Sequence, residues 1–170
     1  GGNVKLEQGD FDSTDNLSFD VNVGTFTFDG SQRVGSLDIA SRAAAVVSGG
    51  GGRVLVTNTL TISGSPGAWM GALDLNDNDL IIDYTGTSPE PTVISQLSSG
   101  INLSGSLWTG DGIRSSSAAA DPLAVTALGE AEASALGLST IAGVSIDSSA
   151  IVVRYTYYGD ANLNFRHDAD

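Results

Sequence analysis

The sequence contains no cysteine, a single histidine and few cations. Because thiols are absent, disulfide frameworks, cysteine nucleophiles and zinc sites built on thiolates are all excluded. The single histidine is His167, close to the end of the sequence. A Ser-His-Asp triad would have to use this side chain from what reads as a tail. These absences exclude or disfavour the commonest forms of nucleophilic catalysis.

Positive charge is scarce. Lys and Arg total 7 whereas Asp and Glu total 20, which gives a formal net charge of −13. A chain this acidic repels nucleic-acid phosphates and anionic lipid headgroups, so we expect neither as a partner. No apolar run approaches the roughly 20 residues that a membrane helix needs, so membrane insertion is not expected either.

Short strands dominate the pattern in the first half of the chain. Gly, Ser, Thr, Asp and Asn are abundant, which favours strands and tight turns over solvated helices. In "LSFDVNV" the apolar residues Leu17, Phe19, Val21 and Val23 alternate with polar ones. Similar short runs continue as far as "LIIDY", which ends at Tyr84. This period of two predicts an all-β region.

Three strand cores recur along this region: "LDI" at 37–39, "LTI" at 60–62 and "LDL" at 73–75. The first two are about one turn of a larger parallel β-helix apart, roughly 20 or more residues. We therefore predict a mainly all-β fold, a short parallel β-helix or solenoid-like stack with one or two short helices in its C-terminal half. An antiparallel β-sandwich gives a similar pattern and is the alternative.

Helices are expected only after Ser88. "SPEPTVISQLSSG" predicts one that starts at Ser88 or Pro89, turns Ile94 inward and stops at Gly100. "TALGEAEASALG" predicts a second that ends at Gly137. "SSAIVVRYTYYG" then gives the longest apolar strand, which we expect to close the domain.

These patterns divide the chain into three parts. We predict an N-terminal segment over 1–23 that offers an assembly strand, a β-rich domain over 24–159 and an acidic tail over 160–170. The chain begins at Gly1-Gly2 without an initiator Met or signal peptide, which we interpret as a processed product or a fragment.

Four ordered blocks carry a family resemblance: "LDLNDNDLIIDYTG", "LWTGDGIRSSSA", "ALGEAEASALG" and "IVVRYTYYGDANL". They resemble the C-terminal region of large secreted proteins from planctomycetes and related bacteria, which carry autotransporter-associated β-strand repeats upstream and dockerin-like calcium repeats downstream. The resemblance extends from about Gly24 onward. It implies an extracellular or cell-surface β-rich module, with a signal peptide upstream in a longer precursor.

The ending "YYGDANLNFRHDAD" follows the start of a dockerin-type calcium loop. Such loops place ligands at positions 1, 3, 5, 7, 9 and 12 and glycine at position 6. Asp160, Asn162, Asn164 and Asp168 fit positions 1, 3, 5 and 9, but Phe165 replaces the glycine and the twelfth position falls beyond the sequence. We interpret it as a truncated loop whose candidate ligand is calcium. The alternative is an acidic tail that binds no metal.

A second acidic cluster lies in "LDLNDNDLIIDY", where Asp74, Asn76, Asp77 and Asp79 offer oxygen ligands for calcium. Asn and Asp are also the residues that tolerate left-handed backbone and form Asx turns, so a plain turn between strands explains them equally. No cofactor is required by either interpretation.

Catalytic carboxylates are not evident. Glycosidases need two carboxyl groups roughly 5–10 Å apart across a cleft. The sequence has four glutamates, Glu7, Glu90, Glu130 and Glu132, and we expect none of them on a strand beside an aromatic platform. We therefore predict that the protein is not an enzyme.

The function predicted is that of a non-catalytic extracellular structural module that self-assembles into a fibre, tube or surface layer. Low lysine content leaves strand edges unprotected, so other copies of the chain are the expected partners. The alternative is a module that binds polysaccharide or another partner at the cell surface. For that role we considered an aromatic face formed by Trp69, Trp108, Tyr155, Tyr157 and Tyr158.

Overall fold

Two open sheets form the molecule in a computed structural model that describes residues 4–6 and 17–166. The parallel sheet has the order β1-β3-β5-β7-β9, and the mixed sheet has the order β10-β13-β8-β6-β4-β2. The parallel sheet contains β1 (Val4–Leu6), β3 (Gly24–Phe28), β5 (Ala43–Val47), β7 (Ala72–Asp74) and β9 (Gly112–Arg114). The mixed sheet contains β2 (Ser18–Val21), β4 (Gln32–Ile39), β6 (Val54–Ile62), β8 (Asp79–Asp83), β10 (Thr126–Glu132) and β13 (Ala150–Tyr157).

Helices and a small hairpin complete the described structure. The helices are α1 (Glu90–Ile101), α2 (Ser116–Ala119) and α3 (Ala133–Leu136), and the hairpin joins β11 (Thr140–Ile141) to β12 (Val144–Ser145). Among the described residues, no helix is both long and apolar enough to cross a membrane.

The prediction of a mainly all-β, solenoid-like fold is wrong, because the chain is a mixed α/β protein. Successive strands up to β9 alternate between the two sheets and pair in parallel, but α1 interrupts this order between β8 and β9. After β9 the chain adds β13 and β10 to the mixed sheet in antiparallel orientation. The alternative, an antiparallel sandwich, is wrong as well. Seven of the ten described strand pairings are parallel and join strands up to β9, whereas the three antiparallel pairings all involve strands from β10 to β13.

The strand cores identified in the sequence fall in different sheets. Leu37 of β4 lies in register with Leu60 of β6, so the first two cores are neighbours in the mixed sheet. Leu73 of the third core pairs instead with Ala45 and Ile113 in the parallel sheet. Residues of similar pattern can occupy either sheet because each sheet turns one apolar face inward.

The centre of the mixed sheet, where the first half of β6 meets β8 and β13, is buried on both faces. Leu37, Leu55, Leu80 and Ile151 belong to the main core, which also contains buried residues of the parallel sheet and of α1. A second core on the other face is built on Val54, Val56, Ile81 and Val152, with Ala133 of α3, Ile141 of β11 and Leu163. Burial on both faces explains the continuous apolar run in "AIVV", since a strand covered on one side alternates instead.

Helix α1 packs against β9, the outer strand of the parallel sheet, with the two backbones in close contact. A Cβ on Gly100 would lie 1.8 Å from the carbonyl oxygen of Ile113 in β9. A Cβ on Gly112 would lie 2.2 Å from the carbonyl oxygen of Gln96 in α1. Gly100 is therefore a close-packing residue of the helix, where the sequence predicted a stop. Ile94 was predicted to face inward but is 47% exposed.

The second predicted helix is mostly a strand. Residues 126–132 form β10, paired antiparallel with β13, and only Ala133–Leu136 form α3, which Gly137 caps in the left-handed conformation. Alanine and glutamate are good helix formers, but intrinsic propensity is a weak determinant, and pairing with the strongly apolar β13 overrides it. Because this segment is a strand and not a helix, Glu130 and Glu132 lie on β10.

Candidate functional site

The segment predicted as a calcium loop folds onto the second core. Asp160 is buried, and its carboxylate accepts hydrogen bonds from the Thr156 hydroxyl and from the backbone N–H groups of Asn164 (3.0 Å) and Phe165 (2.8 Å). Burial raises the pKa of Asp160, but these hydrogen bonds outweigh it and the net pKa lies below the usual value. The Asp160 carboxylate is thus already occupied by protein donors.

Two other predicted ligands of this loop, Asn162 and Asn164, also accept hydrogen bonds from backbone N–H groups within the loop. The Asn162 side-chain oxygen accepts from the Asn164 N–H at 3.2 Å, and that of Asn164 accepts from the Arg166 N–H at 2.8 Å. Phe165 has a φ of 66°, the left-handed conformation for which calcium loops use glycine. Asp168 lies outside the described residues, so calcium binding here stays a prediction.

Arg154 makes two contacts with this loop. The Arg154 guanidinium lies 4.1 Å from the centre of the Phe165 ring and donates to the Leu163 carbonyl at 3.0 Å. The stacking compensates part of the backbone strain at Phe165, because a cation over an aromatic ring is stabilising.

The carboxylates of the second predicted site point to different partners. Asp74 accepts from the backbone N–H of Asn76 and of Ser116, at 3.0 and 2.9 Å, and forms an ion pair with Arg114 at 3.4 Å. These contacts join the turn after β7 to the start of α2.

Asp77 instead accepts from the Gly50 N–H at 2.9 Å, and Asp79 forms an ion pair with Arg154 at 3.3 Å. Burial raises the pKa of Asp79, although the Arg154 charge and hydrogen bond act in the opposite direction. Across residues 17–166, no three His, Asp or Glu side chains converge in a way that could hold a metal ion. The turn interpretation therefore accounts for the contacts of Asp74, Asn76, Asp77 and Asp79.

The aromatic residues considered as a sugar platform are dispersed. Trp108 is only 3% exposed, and its indole N–H donates to the Tyr158 hydroxyl at 3.1 Å. Trp69 donates to Ser95 on α1 at 3.1 Å. Both indoles fix loops against the body of the protein, so they do not form a common stacking face.

A cluster of carboxylates that sequence reasoning missed lies between β10 and α1. Glu130 and Glu132 are two residues apart on β10 and share one face of it, and Glu90 is the first residue of α1. The Tyr84 hydroxyl donates to Glu132 at 3.1 Å, and the Ser88 hydroxyl donates to the same carboxylate. The i, i+2 spacing of the two glutamates would have revealed the pair had this segment been assigned to a strand.

Glu130 is the electrostatically unusual member of the cluster. Burial, followed by the neighbouring charges of Glu90 and Glu132, raises the pKa of Glu130 from 4.5 to about 7. Its Oε1 atom is buried and finds no hydrogen-bond partner in the described part of the chain. Perturbed carboxyl groups of this kind are characteristic of functional sites, although structural clusters also produce them.

A cleft of about 230 Å³ opens beside this cluster, between β6, the end of β8 and α1. Tyr84 belongs both to the cleft and to the hydrogen-bond network of Glu132. The polar lining consists of Asn58, Thr59, Tyr84, Thr85, Thr87, Thr92 and Gln96, and the apolar lining of Leu60, Ile82, Pro89 and Val93.

Within residues 4–6 and 17–166, the N-terminal end of the two sheets is open. Strands β1 and β2 are the outermost strands of their sheets, and no other described strand pairs with their outer edges. Three phenylalanine rings lie at this end, Phe19 of β2 and Phe26 and Phe28 of β3, with ring centres 4.9–5.7 Å apart. Phe28 is buried, whereas Phe19 and Phe26 are only partly covered. The hydrophobic core thus reaches the open end without being fully covered there.

The chain matches no family model, no curated protein and no solved structure. Its resemblance to the C-terminal regions of secreted planctomycete proteins stays a prediction.

Proposed function

We propose that the chain is a non-catalytic structural module of the cell surface that assembles with other copies through its open N-terminal end. The observation that carries this proposal is the pair of outer strands β1 and β2 together with the partly covered cluster formed by Phe19 of β2 and Phe26 and Phe28 of β3. An outer strand offers unpaired N–H and C=O groups to which another strand can add.

The two ends of the molecule differ, which favours assembly in one direction. The outer strand β9 of the parallel sheet is covered by α1, whereas the mixed sheet ends in β2 on one side and β10 on the other. Pairing of β2 in one copy with β10 of the next joins two different surfaces, and such a heterologous contact can propagate into an open polymer.

The backbone of β2 shows which residue to change. The carbonyl oxygens of Leu17 and Val21 accept from Gly35 and Ala40, at 2.9 and 3.0 Å, so these residues direct their backbone groups toward the β4 side. Because direction alternates along a strand, the N–H of Asp20 points to the open edge. Proline at this position removes an outward donor and leaves the ladder to β4 intact.

Light scattering over a concentration series, with negative-stain microscopy, tests the proposal. We expect the average mass of the wild-type chain to rise with concentration and that of Asp20→Pro to stay near the monomer. Asp20→Asn is the matched control, since it keeps the edge N–H, and should associate at least as well as wild type. A monodisperse wild-type monomer at high concentration would refute the proposal, as would equal association of wild type and Asp20→Pro.

A further inference from the structure

The cleft beside α1 exists because β8 ends early. Strand β8 pairs with β6 only over Val54–Thr57, after which the chain leaves the sheet at Tyr84 to begin α1. Along Asn58 and Thr59, no described strand pairs with β6 on this side. The cleft therefore presents strand-edge backbone as well as side chains to a ligand.

The wall opposite this edge is one face of α1 and the residue before it. Pro89, Thr92, Val93 and Gln96 follow the spacing of three and four residues that places side chains on a common helix face. The helix position is fixed by its backbone contacts with β9 at Gly100 and Gly112. The cleft is thus preformed by rigid elements, as binding sites commonly are.

Gln96 is the decisive residue. It is 1% exposed and lines the cleft. A side-chain amide carries both donors and an acceptor, and inside a cleft shielded from water its hydrogen bonds to a ligand are stronger than in solution. A ligand that offers both a donor and an acceptor can therefore bind to this amide.

The lining suits a ligand that has both polar groups and an apolar face. Hydroxyls of Thr59, Thr85, Thr87 and Thr92 and the amide of Asn58 can donate and accept hydrogen bonds, while the Tyr84 ring lies beside aliphatic side chains. None of the lining residues is charged, and the chain carries a net charge of −13. An anionic ligand would therefore be repelled and would find no cation in the lining.

We propose that this cleft binds a neutral sugar ring of a glycan, with Gln96 as the principal hydrogen-bonding residue. A pyranose presents hydroxyls at its rim and C–H groups on its face, which matches the mixed lining. The volume of about 230 Å³ is below the roughly 300–1,000 Å³ of sites for drug-sized ligands, so one ring fits and the rest of a chain would extend outside. This role is independent of strand-edge assembly.

Calorimetry and two-dimensional NMR on the full chain test the proposal with four probes: cellohexaose, maltohexaose, free glucose and hexagalacturonate. We expect at least one neutral hexamer to bind and to shift the amide signals of Thr92 and Gln96. Glucose should bind more weakly at the same residues if a single ring occupies the cleft. Hexagalacturonate should not bind.

Gln96→Leu supplies the discriminating variant, since it keeps a side chain of similar size and removes the amide. We expect about tenfold weaker glycan binding or more, because the hydrogen bonds from the amide to the ligand are lost, and a melting temperature that shows the variant is still folded. Ser98→Ala, on the exposed side of the same helix, should bind like wild type. Absence of binding by both neutral hexamers, preference for the acidic hexamer, shifts confined to other regions, or unaltered affinity in Gln96→Leu would each overturn the proposal.

Discussion

Glu130 shows how one side chain acquires unusual chemistry from its position on β10. Its partner in register on β13 is the apolar Val153, and its ionisable neighbours Glu90 and Glu132 are both acidic. Arg154, the cation of β13, pairs with Gly129 in register and so projects from the other face of the sheet, toward Asp79. Nothing basic in this arrangement offsets the cost of charging Glu130.

The raised pKa of Glu130 predicts a stability that falls as the pH rises. Well below pH 4.5 the group is protonated in folded and unfolded chains alike and contributes no pH dependence. Between 4.5 and about 7 the unfolded chain releases this proton while the folded chain retains it, so the free energy of unfolding decreases with pH across that interval. Thermal melting of wild type over this range should show the decrease on the background of the other groups.

Glu130→Gln should flatten that decrease, because glutamine cannot ionise. Allowing for solvent screening of a half-buried group, we expect its melting temperature at about pH 8 to exceed that of wild type by about 2–5 °C. Glu90→Gln is the control and should give a smaller gain, since it removes only a neighbouring charge. Parallel curves for wild type and Glu130→Gln would show that the carboxyl titrates normally.

At the scale of the element, α1 packs closely against β9 because Gly100 and Gly112 have no side chains. The Gly100 backbone approaches β9 so closely that a methyl group would overlap the Ile113 carbonyl. This contact closes the outer edge of the parallel sheet and sets one wall of the cleft.

Gly100→Ala should therefore displace the helix. Overpacking of this kind costs about 3 kcal/mol, which corresponds to a melting temperature about 6–12 °C lower for a chain of this size. Ser98→Ala at an exposed position of the same helix should melt near wild type. If Gly100→Ala were equally stable, the backbone contact between α1 and β9 would not be as close as the structure indicates.

The elements also show what the sequence could predict. The pairing of Leu37 with Leu60 follows from their like patterns, and a helix after Ser88 follows from Pro89 and the spacing that comes after it. The strand at 126–132 could not be foreseen, because its alanines and glutamates favour strand only when paired with β13. The cleft depends on where β8 ends relative to β6, a tertiary relation that no local pattern encodes.

At the scale of the whole molecule, charge opposes the assembly that the open end favours. The net charge is −13, and in the mixed sheet Asp20 of β2 lies in register with Asp38 of β4 next to the outer edge. Any second copy that approaches this edge carries the same net charge. The same repulsion keeps dilute chains apart in water of low ionic strength.

Association through the open end should therefore strengthen with salt. Raising the ionic strength from about 10 mM to about 150 mM shortens the Debye length from about 30 Å to about 8 Å, which screens the repulsion between copies while leaving strand pairing and apolar contact in place. Sedimentation at several salt concentrations should show a growing associated fraction for wild type and little change for Asp20→Pro. Dissociation on adding salt would instead indicate an interface held by ion pairs, a result incompatible with contact through the uncharged backbone edge of β2.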